Sequence, residues 1–178
     1  MRIVAGTARG RRLEAPRGAG TRPTSDKVRG AVFNVLGQFF EGGSVLDLYS
    51  GTGAMALEAL SRGCDRALCV ESGREAMRVL RKNVAACGFS DRVEVREDPV
   101  ERLLPQLEAG AYDLAFLDPP YAVGVGEPLS ELGRVIRPGG RAVAEHDRRR
   151  PPPERCGSLL LLDRRAYGDT GISIYRGD

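Results

Sequence analysis

The stretch SVLDLYSGTGAMALEALSRG, residues 44–63, sets the fold. SVLDLYS (44–50) is a short apolar run bounded by small residues, the pattern of a buried strand. GTGAMALEALSRG continues it as a glycine turn running into a helix that stops at Gly63. A strand, a glycine turn and a helix in direct succession are the first half of a βαβ unit.

The same rhythm continues downstream. RALCVE (66–71) reads as a second strand, REAMRVLRKNVAACG as a helix closed by Gly88, and RVEVRED (92–98) as a third strand. PVERLLPQLEAG reads as a short helix, YDLAFLD (112–118) as a fourth strand and EPLSELGRVI as a helix. PGG (138–140) then reads as a turn and RAVAEH (141–146) as a fifth strand. After the charged, proline-rich connector DRRRPPPERCG, the segments SLLLLDRRAYG and ISIYR have no helix between them and read as an antiparallel pair. Alternating strands and helices predict a doubly wound α/β sheet whose ligand sits at the carboxyl ends of the strands.

Upstream, residues 1–23 are rich in Gly, Arg and Pro and read as a short strand or hairpin followed by irregular chain. TSDKVRGAVFNVLGQFF (24–40) carries Val28, Ala31, Val32, Val35, Leu36, Phe39 and Phe40 at helical spacing. Thr24 or Ser25 is placed to cap that helix and Asp26 to favour its first turn. The division predicted is a basic extension over residues 1–41 and a core over 42–178.

The chain's 178 residues fit one domain with a real core, at 42% hydrophobic and 29% charged composition. No apolar run approaches the roughly 18 residues that span a bilayer, and the N-terminus lacks the apolar stretch of a signal peptide. The cytoplasm is the expected compartment. Cys64, Cys69, Cys87 and Cys156 form no C-x-x-C pair, and with His146 the lone histidine no metal site is expected. The net charge of +3 hides an asymmetry. Residues 1–30 hold eight basic and two acidic residues, a net of +6, against 19 basic and 22 acidic elsewhere, a net of −3. A basic segment on a near-neutral body suits a polyanionic partner, the alternative being a solvated arm.

The glycine turn alone fits a dinucleotide fingerprint, because Gly51, Gly53 and Ala56 spell G-x-G-x-x-A with Glu71 about 20 residues on. Asp47 decides against it. A carboxylate ending the strand repels a pyrophosphate by roughly 1–4 kcal/mol near 4 Å at effective dielectrics of 80 to 20. S-adenosylmethionine makes the opposite demand, with a sulfonium and an ammonium and no phosphate. Glu71 then stands where a carboxylate accepts both ribose hydroxyls, and Asp98 where it meets the adenine amino group. Asp47, Glu71, Asp98 and Asp118 close four successive strands, a cluster more specific than the glycines. Its competing reading is a set of helix caps.

LDPPYAV (117–123) ends the fourth strand with two prolines, which neither a strand nor a helix interior tolerates. Methylation of an exocyclic amino group on a base is hindered because the nitrogen lone pair is delocalised into the ring. Accepting hydrogen bonds from both N–H bonds localises that pair. The side chain of Asp118 and the carbonyl of Pro119 are suitable acceptors, Pro120 stiffens them, and Tyr121 can stack on the base. The base must be unstacked to reach such a site, so exposed loops or bulges are favoured.

Several of these segments together resemble the bacterial RsmD-type methyltransferases: VLDLYSGTGAMALEALSRG, VE at 70–71, DPPY at 118–121, TRPTSDKVRGAVFNVL at 21–36 and YGDTGISIY at 167–175. The glycine and D-P-P-Y motifs are shared with many amino-methyltransferases. The R-P-T-x-D-x-V-R segment and the terminal Y-G-D-T are far more specific. The resemblance implies a Rossmann-like class I fold, with a mostly parallel seven-stranded sheet and an antiparallel C-terminal strand. It also implies methyl transfer from S-adenosylmethionine to the N2 amino group of a guanine in 16S ribosomal RNA, within a small subunit or assembly intermediate. A monomer suffices for such a fold and is the expected state. It carries cofactor binding to Asp47, Tyr49, Gly51, Gly53, Glu71 and Asp98, and catalysis to Asp118, Pro119, Pro120 and Tyr121. RNA contact falls to Arg9, Arg11, Arg12, Arg22, Lys27 and Arg29. The alternatives are a DNA adenine-N6 methyltransferase, for whose target-recognition domain the chain leaves little space, and a non-catalytic RNA-binding assembly factor. A nicotinamide dehydrogenase is the weakest, given Asp47.

Overall fold

In the computed structural model, which describes residues 1–16, 26–120 and 122–178, β1 (Ser44–Leu48) is buried along its whole length at the middle of the sheet. It is flanked by β2 (Arg66–Glu71) and β4 (Tyr112–Leu117), both parallel to it. β3 (Val93–Glu97) extends the parallel set beyond β2, and β5 (Ile136–Asp147) extends it beyond β4. β8 (Thr170–Gly177) pairs antiparallel with both β5 and β7 (Leu159–Tyr167). β6 (Arg155–Cys156) closes the edge, antiparallel to β7. The order β3-β2-β1-β4-β5-β8-β7-β6 reverses direction between β1 and β4, the crevice where open α/β sheets bind ligands.

Three details depart from the sequence expectation. The sheet has eight strands rather than seven, because Arg155–Cys156 in the connector adds a two-residue edge. The PGG segment lies inside β5 rather than before it. Tyr112 pairs with Ile136 and Leu114 with Arg141, so the extra residues are accommodated as a bulge at Gly139, whose φ is 77°. The helix after the third strand is only α4 (Val100–Leu103), tightening into a 3₁₀ turn over Leu104–Gln106 around Pro105. The first helix, α1, runs over Asp26–Leu36, and its expected caps Thr24 and Ser25 lie outside the described residues.

The side chains of β1 alternate between two cores. Val45 packs with Leu114, Phe116 and Val143 under α1, α2 (Ala54–Ser61) and α3 (Arg74–Cys87). Leu46 and Leu48 pack on the other face with Val100, Leu103 and Leu104 and with α5 (Gly126–Val135). The first segment belongs to the α2–α3 face: Ile3, Ala8 and Leu13 are buried there. Its backbone is tied by an isolated bridge between Arg2 and Arg12.

Candidate active site

β1, β2 and β4 are parallel and in register at their ends: Leu48 lies opposite both Val70 and Leu117. The residues that follow therefore converge at one edge. Alternation puts Asp47, Glu71 and Asp118 on the face covered by α2 and α3. Asp47 is buried, and its Oδ2 accepts the Ala56 N–H at 3.1 Å from the first turn of α2. Burial, with Asp118 and Glu71 nearby as further negative charges, pushes its carboxyl up to about 8 despite that bond. A buried carboxylate with two acidic neighbours is a site that gains from an incoming cation.

The glycine turn packs tightly against α3. Gly53 has a φ of 76°, and a Cβ there would stand 2.3 Å from Leu80 Cδ1. Tyr49 is the one non-glycine with positive φ among the described residues, at 57°, a strained conformation of the kind found where a strand turns sharply into a site. Its hydroxyl donates to Glu101 at the start of α4, and burial with that carboxylate beside it pushes the phenol upward. Glu71 holds the turn from the second strand. One oxygen accepts Gly51 N–H at 2.9 Å, and the other accepts the N–H groups of Ser72 and Gly73. A carboxylate has about four lone-pair sites, so with three N–H groups accepted Glu71 keeps about one for a ribose hydroxyl rather than the two expected from the sequence. Asp98 is half-buried just past β3 and pairs with Arg102 at 2.6 Å.

Asp118 opens to solvent at the end of β4, its backbone N–H weakly bonded to Leu48 O at 3.5 Å. The surrounding protein and the charge of Glu145 push its carboxyl up to about 7, tempered by its contact with water. Glu145 follows directly from register. Leu117 pairs with Ala144, so the residues after them, Asp118 and Glu145, stand side by side. Sequence reading missed Glu145, although an acid ending the fifth strand was visible in RAVAEH. Pro119 is buried and Pro120 exposed, and Val123 N–H and Gly124 N–H both return to Pro120 O, folding the loop back on itself. Tyr121 lies outside the described residues.

The basic residues separate. Arg9, Arg11, Arg12 and Lys27 are exposed. Thr7 N–H bonds to Ser61 O and Ala8 N–H to Ser61 Oγ, so the hairpin tip carrying Arg9 sits at the end of α2 remote from the glycine turn. Farther along, Glu14 exchanges hydrogen bonds with Asn83, whose amide also donates to Thr52 O in the glycine turn at 2.9 Å. Asn83 was not anticipated, though an amide on the apolar face of α3 was a signal. Arg22 lies outside the described residues. Arg29 is not available to RNA. It is fully buried, paired with Glu58 at 3.3 Å and Asp26 at 2.9 Å. Glu58, also fully buried, pairs with Arg62 at 2.7 Å and accepts the Val4 and Ala5 N–H groups. The charge counted towards an RNA arm at Arg29 is instead the clasp that holds the first segment onto α2.

Among the described residues no group of three or more His, Cys, Asp and Glu could hold a metal ion, and no helix is long and apolar enough to cross a membrane. The four cysteines are buried and free. His146 is buried and bonds Ser173 Oγ at 2.9 Å and Asp147 O at 2.8 Å. A concavity of about 500 Å³ lined by Ser44, Arg66, Arg92, Glu94 and Tyr112 lies at the amino ends of β1–β3, across the sheet from the acidic edge.

The family model described as "Conserved hypothetical protein 95" matches residues 1–176. The chain belongs to the RsmD-type rRNA methyltransferase family. It is 36% identical over 182 residues to "Putative rRNA methyltransferase YlbH" of Bacillus subtilis, covering 99% of this chain and 98% of that one. It is 28% identical over 181 residues to "Ribosomal RNA small subunit methyltransferase D" of Haemophilus influenzae, covering 99% and 92%. The solved structure titled "Putative methyltransferase yhhF from Escherichia coli" superposes with a TM-score of 0.84 at 28% identity, covering 100% of this chain and 98% of that one. The fold is that of the Rossmann-like class I methyltransferases. An RNA methyltransferase of Salinibacter ruber, solved with S-adenosyl-L-homocysteine, shares it at a TM-score of 0.64 and 20% identity, over 87% of this chain and 93% of that one.

Proposed function

We propose that this RNA methyltransferase transfers a methyl group from S-adenosylmethionine to the N2 amino group of a guanine in 16S ribosomal RNA. It acts as a monomer in the cytoplasm, on a small subunit or its assembly intermediate. The observation that carries the reading is the adjacency of two unlike acids at the switch point. Asp47 is buried beside a glycine turn, and Asp118 is open beside two prolines.

The residues fit the cofactor. Asp47, buried among acids, gains from a cationic neighbour. Gly51 and Gly53 leave the turn without side chains, Glu71 offers an acceptor to ribose and Asp98 to adenine. When bound, the cofactor supplies a methyl group on a positively charged sulfur. The rest is done by the chain. Asp118 and the Pro119 carbonyl accept the two N–H bonds of the target amino group, which directs its lone pair outward and stabilises the positive charge that develops there. The prolines keep those acceptors from turning away. Tyr121 stacks on the base. The alkylated nitrogen is acidic enough to lose its proton without a dedicated base.

Labelled cofactor incubated with small subunits lacking the modification tests the reading. N2-methylguanine in 16S RNA supports it, whereas labelling of adenine in duplex DNA supports the alternative enzyme. Failure to bind the cofactor in calorimetry supports a non-catalytic assembly factor.

A further inference from the structure

An acidic active-site edge creates a difficulty for an RNA substrate. Glu71, Glu145 and, as it ionises, Asp118 repel phosphates at the mouth of the site, so cationic groups have to offset them there. The hairpin tip with Arg9 is remote from that edge. The opposite side of the site supplies another basic group. β5 runs parallel to β4 with Glu145 level with Asp118, and the chain leaves it through Asp147 into Arg148, Arg149 and Arg150. Arg148 is three residues past Glu145, roughly 10 Å beyond the level of Asp118 at about 3.3 Å per residue, and Arg149 and Arg150 follow it in a turn. All three are exposed.

Two features separate this run from an ordinary solvated surface. First, it is held. Asp147 Oδ1 accepts Arg149 N–H at 2.8 Å, Asp147 O accepts Arg150 N–H at 3.0 Å, and Arg148 N–H bonds to Asp169 O in the β7–β8 turn at 2.9 Å. The chain then continues through Pro151, Pro152 and Pro153, and Arg164 of β7 bonds the Pro152 carbonyl. Second, its charge is barely neutralised within the protein. Among the described residues the run's only ion pair is Arg149 with Asp169 at 3.9 Å, between groups 83% and 94% exposed, which is worth little in water. By contrast Arg155 and Arg165, farther along, are paired with Asp178 and Asp163.

We infer that Arg148, Arg149 and Arg150 form a phosphate-binding surface that grips substrate RNA beside the target nucleotide, on the β5 side of the active site. Guanidinium groups suit phosphate oxygens, and a fixed turn presenting three of them loses little order on binding. The inference rests on the proposed RNA substrate and adds where the RNA lies.

The test replaces all three by Gln in the full-length chain. The turn uses backbone N–H groups and Asp147, which the replacements retain, and a melting curve checks folding. A control carries Arg137→Gln, Arg141→Gln and Arg176→Gln at the amino end of β5 and the adjoining β8, removing equal charge from the other edge. Affinity for protein-free 16S RNA is measured by anisotropy from low to moderate salt, with KM and kcat on unmodified small subunits. The expected result is at least a tenfold weaker Kd and higher KM for the 148–150 variant. Its salt slope falls by about two, at roughly 0.7–0.9 per phosphate contact, while kcat and cofactor affinity stay within twofold. Arg148→Lys/Arg149→Lys/Arg150→Lys recovers most of the binding. A loss no larger than the control's overturns the inference. So does a loss on intact subunits with none on stripped RNA, which would assign the surface to a ribosomal protein. Wild-type protein that binds RNA with this dependence yet methylates no ribosomal guanine would overturn the proposed reaction and leave this surface standing. Absence of wild-type binding to stripped RNA and to intact subunits alike overturns both.

Discussion

Replacing Asp47 by Asn stabilises the ligand-free protein at neutral pH, and increasingly so as pH rises. Asp47 is buried with Asp118 and Glu71 nearby, and its carboxyl titrates near 8 instead of 3.8. The sign follows from linkage. A group whose pKa is raised by folding contributes stability below its unfolded pKa, and that contribution is lost as pH climbs to the folded value. Between 3.8 and pH 7 the native state therefore loses up to about 4 kcal/mol at about 1.4 kcal/mol per pH unit. Asn keeps an oxygen to accept the Ala56 N–H and cannot ionise. Urea unfolding of both proteins from pH 5 to 8, without cofactor, should give a wild-type-minus-variant difference that becomes more unfavourable to wild type by about one proton's worth per pH unit. The same substitution should weaken S-adenosylmethionine binding at least tenfold, because the carboxylate that meets the cation is gone. A difference flat in pH, or a variant less stable than wild type at pH 7.5, would show that Asp47 is not held against its own charge.

Cofactor binding should release close to one proton near pH 7 as the cation draws Asp47 into its charged form, read from calorimetry in buffers of different ionisation enthalpy; uptake of a proton would contradict it. The kcat/KM profile should rise through about pH 7 as Asp118 ionises, and Glu145→Gln should move that limb to lower pH by removing a neighbouring negative charge. Asp118→Ala should abolish turnover and leave cofactor affinity within a few-fold, whereas equal loss of both would mean that Asp118 holds the cofactor. Arg29→Met should cost about 3–5 kcal/mol by stripping a buried partner from Glu58 while leaving the salt dependence of RNA binding unchanged. Gly6→Ala, whose Cβ would stand 1.7 Å from Ser61 O at a φ of 81°, should undock residues 1–16 and raise their hydrogen exchange without unfolding the sheet.

The strand–glycine–helix unit and the four acidic strand ends were legible because each depends on local chemistry: apolar runs, punctuating glycines and a carboxylate where a strand stops. Other features depend on what lies across the fold. Arg29 reads as a basic arm residue until Glu58 is found beneath it, although Glu58 and Arg62, four apart in the apolar helix AMALEALSR, hinted at a buried pair. Glu145 acquires a role only when register sets it beside Asp118. PGG has the composition of a turn, and only the pairing of Tyr112 with Ile136 turns it into a bulge inside a strand. The three arginines after Asp147 carried no recognisable motif. Their position at the acidic edge comes from the parallel direction of β5.

The most direct test of the account is mass mapping of 16S RNA after unmodified small subunits react with isotopically labelled S-adenosylmethionine. The account predicts one labelled N2-methylguanine with wild-type protein and none with Asp118→Ala. Label on any other atom, or undiminished label with the variant, would contradict it.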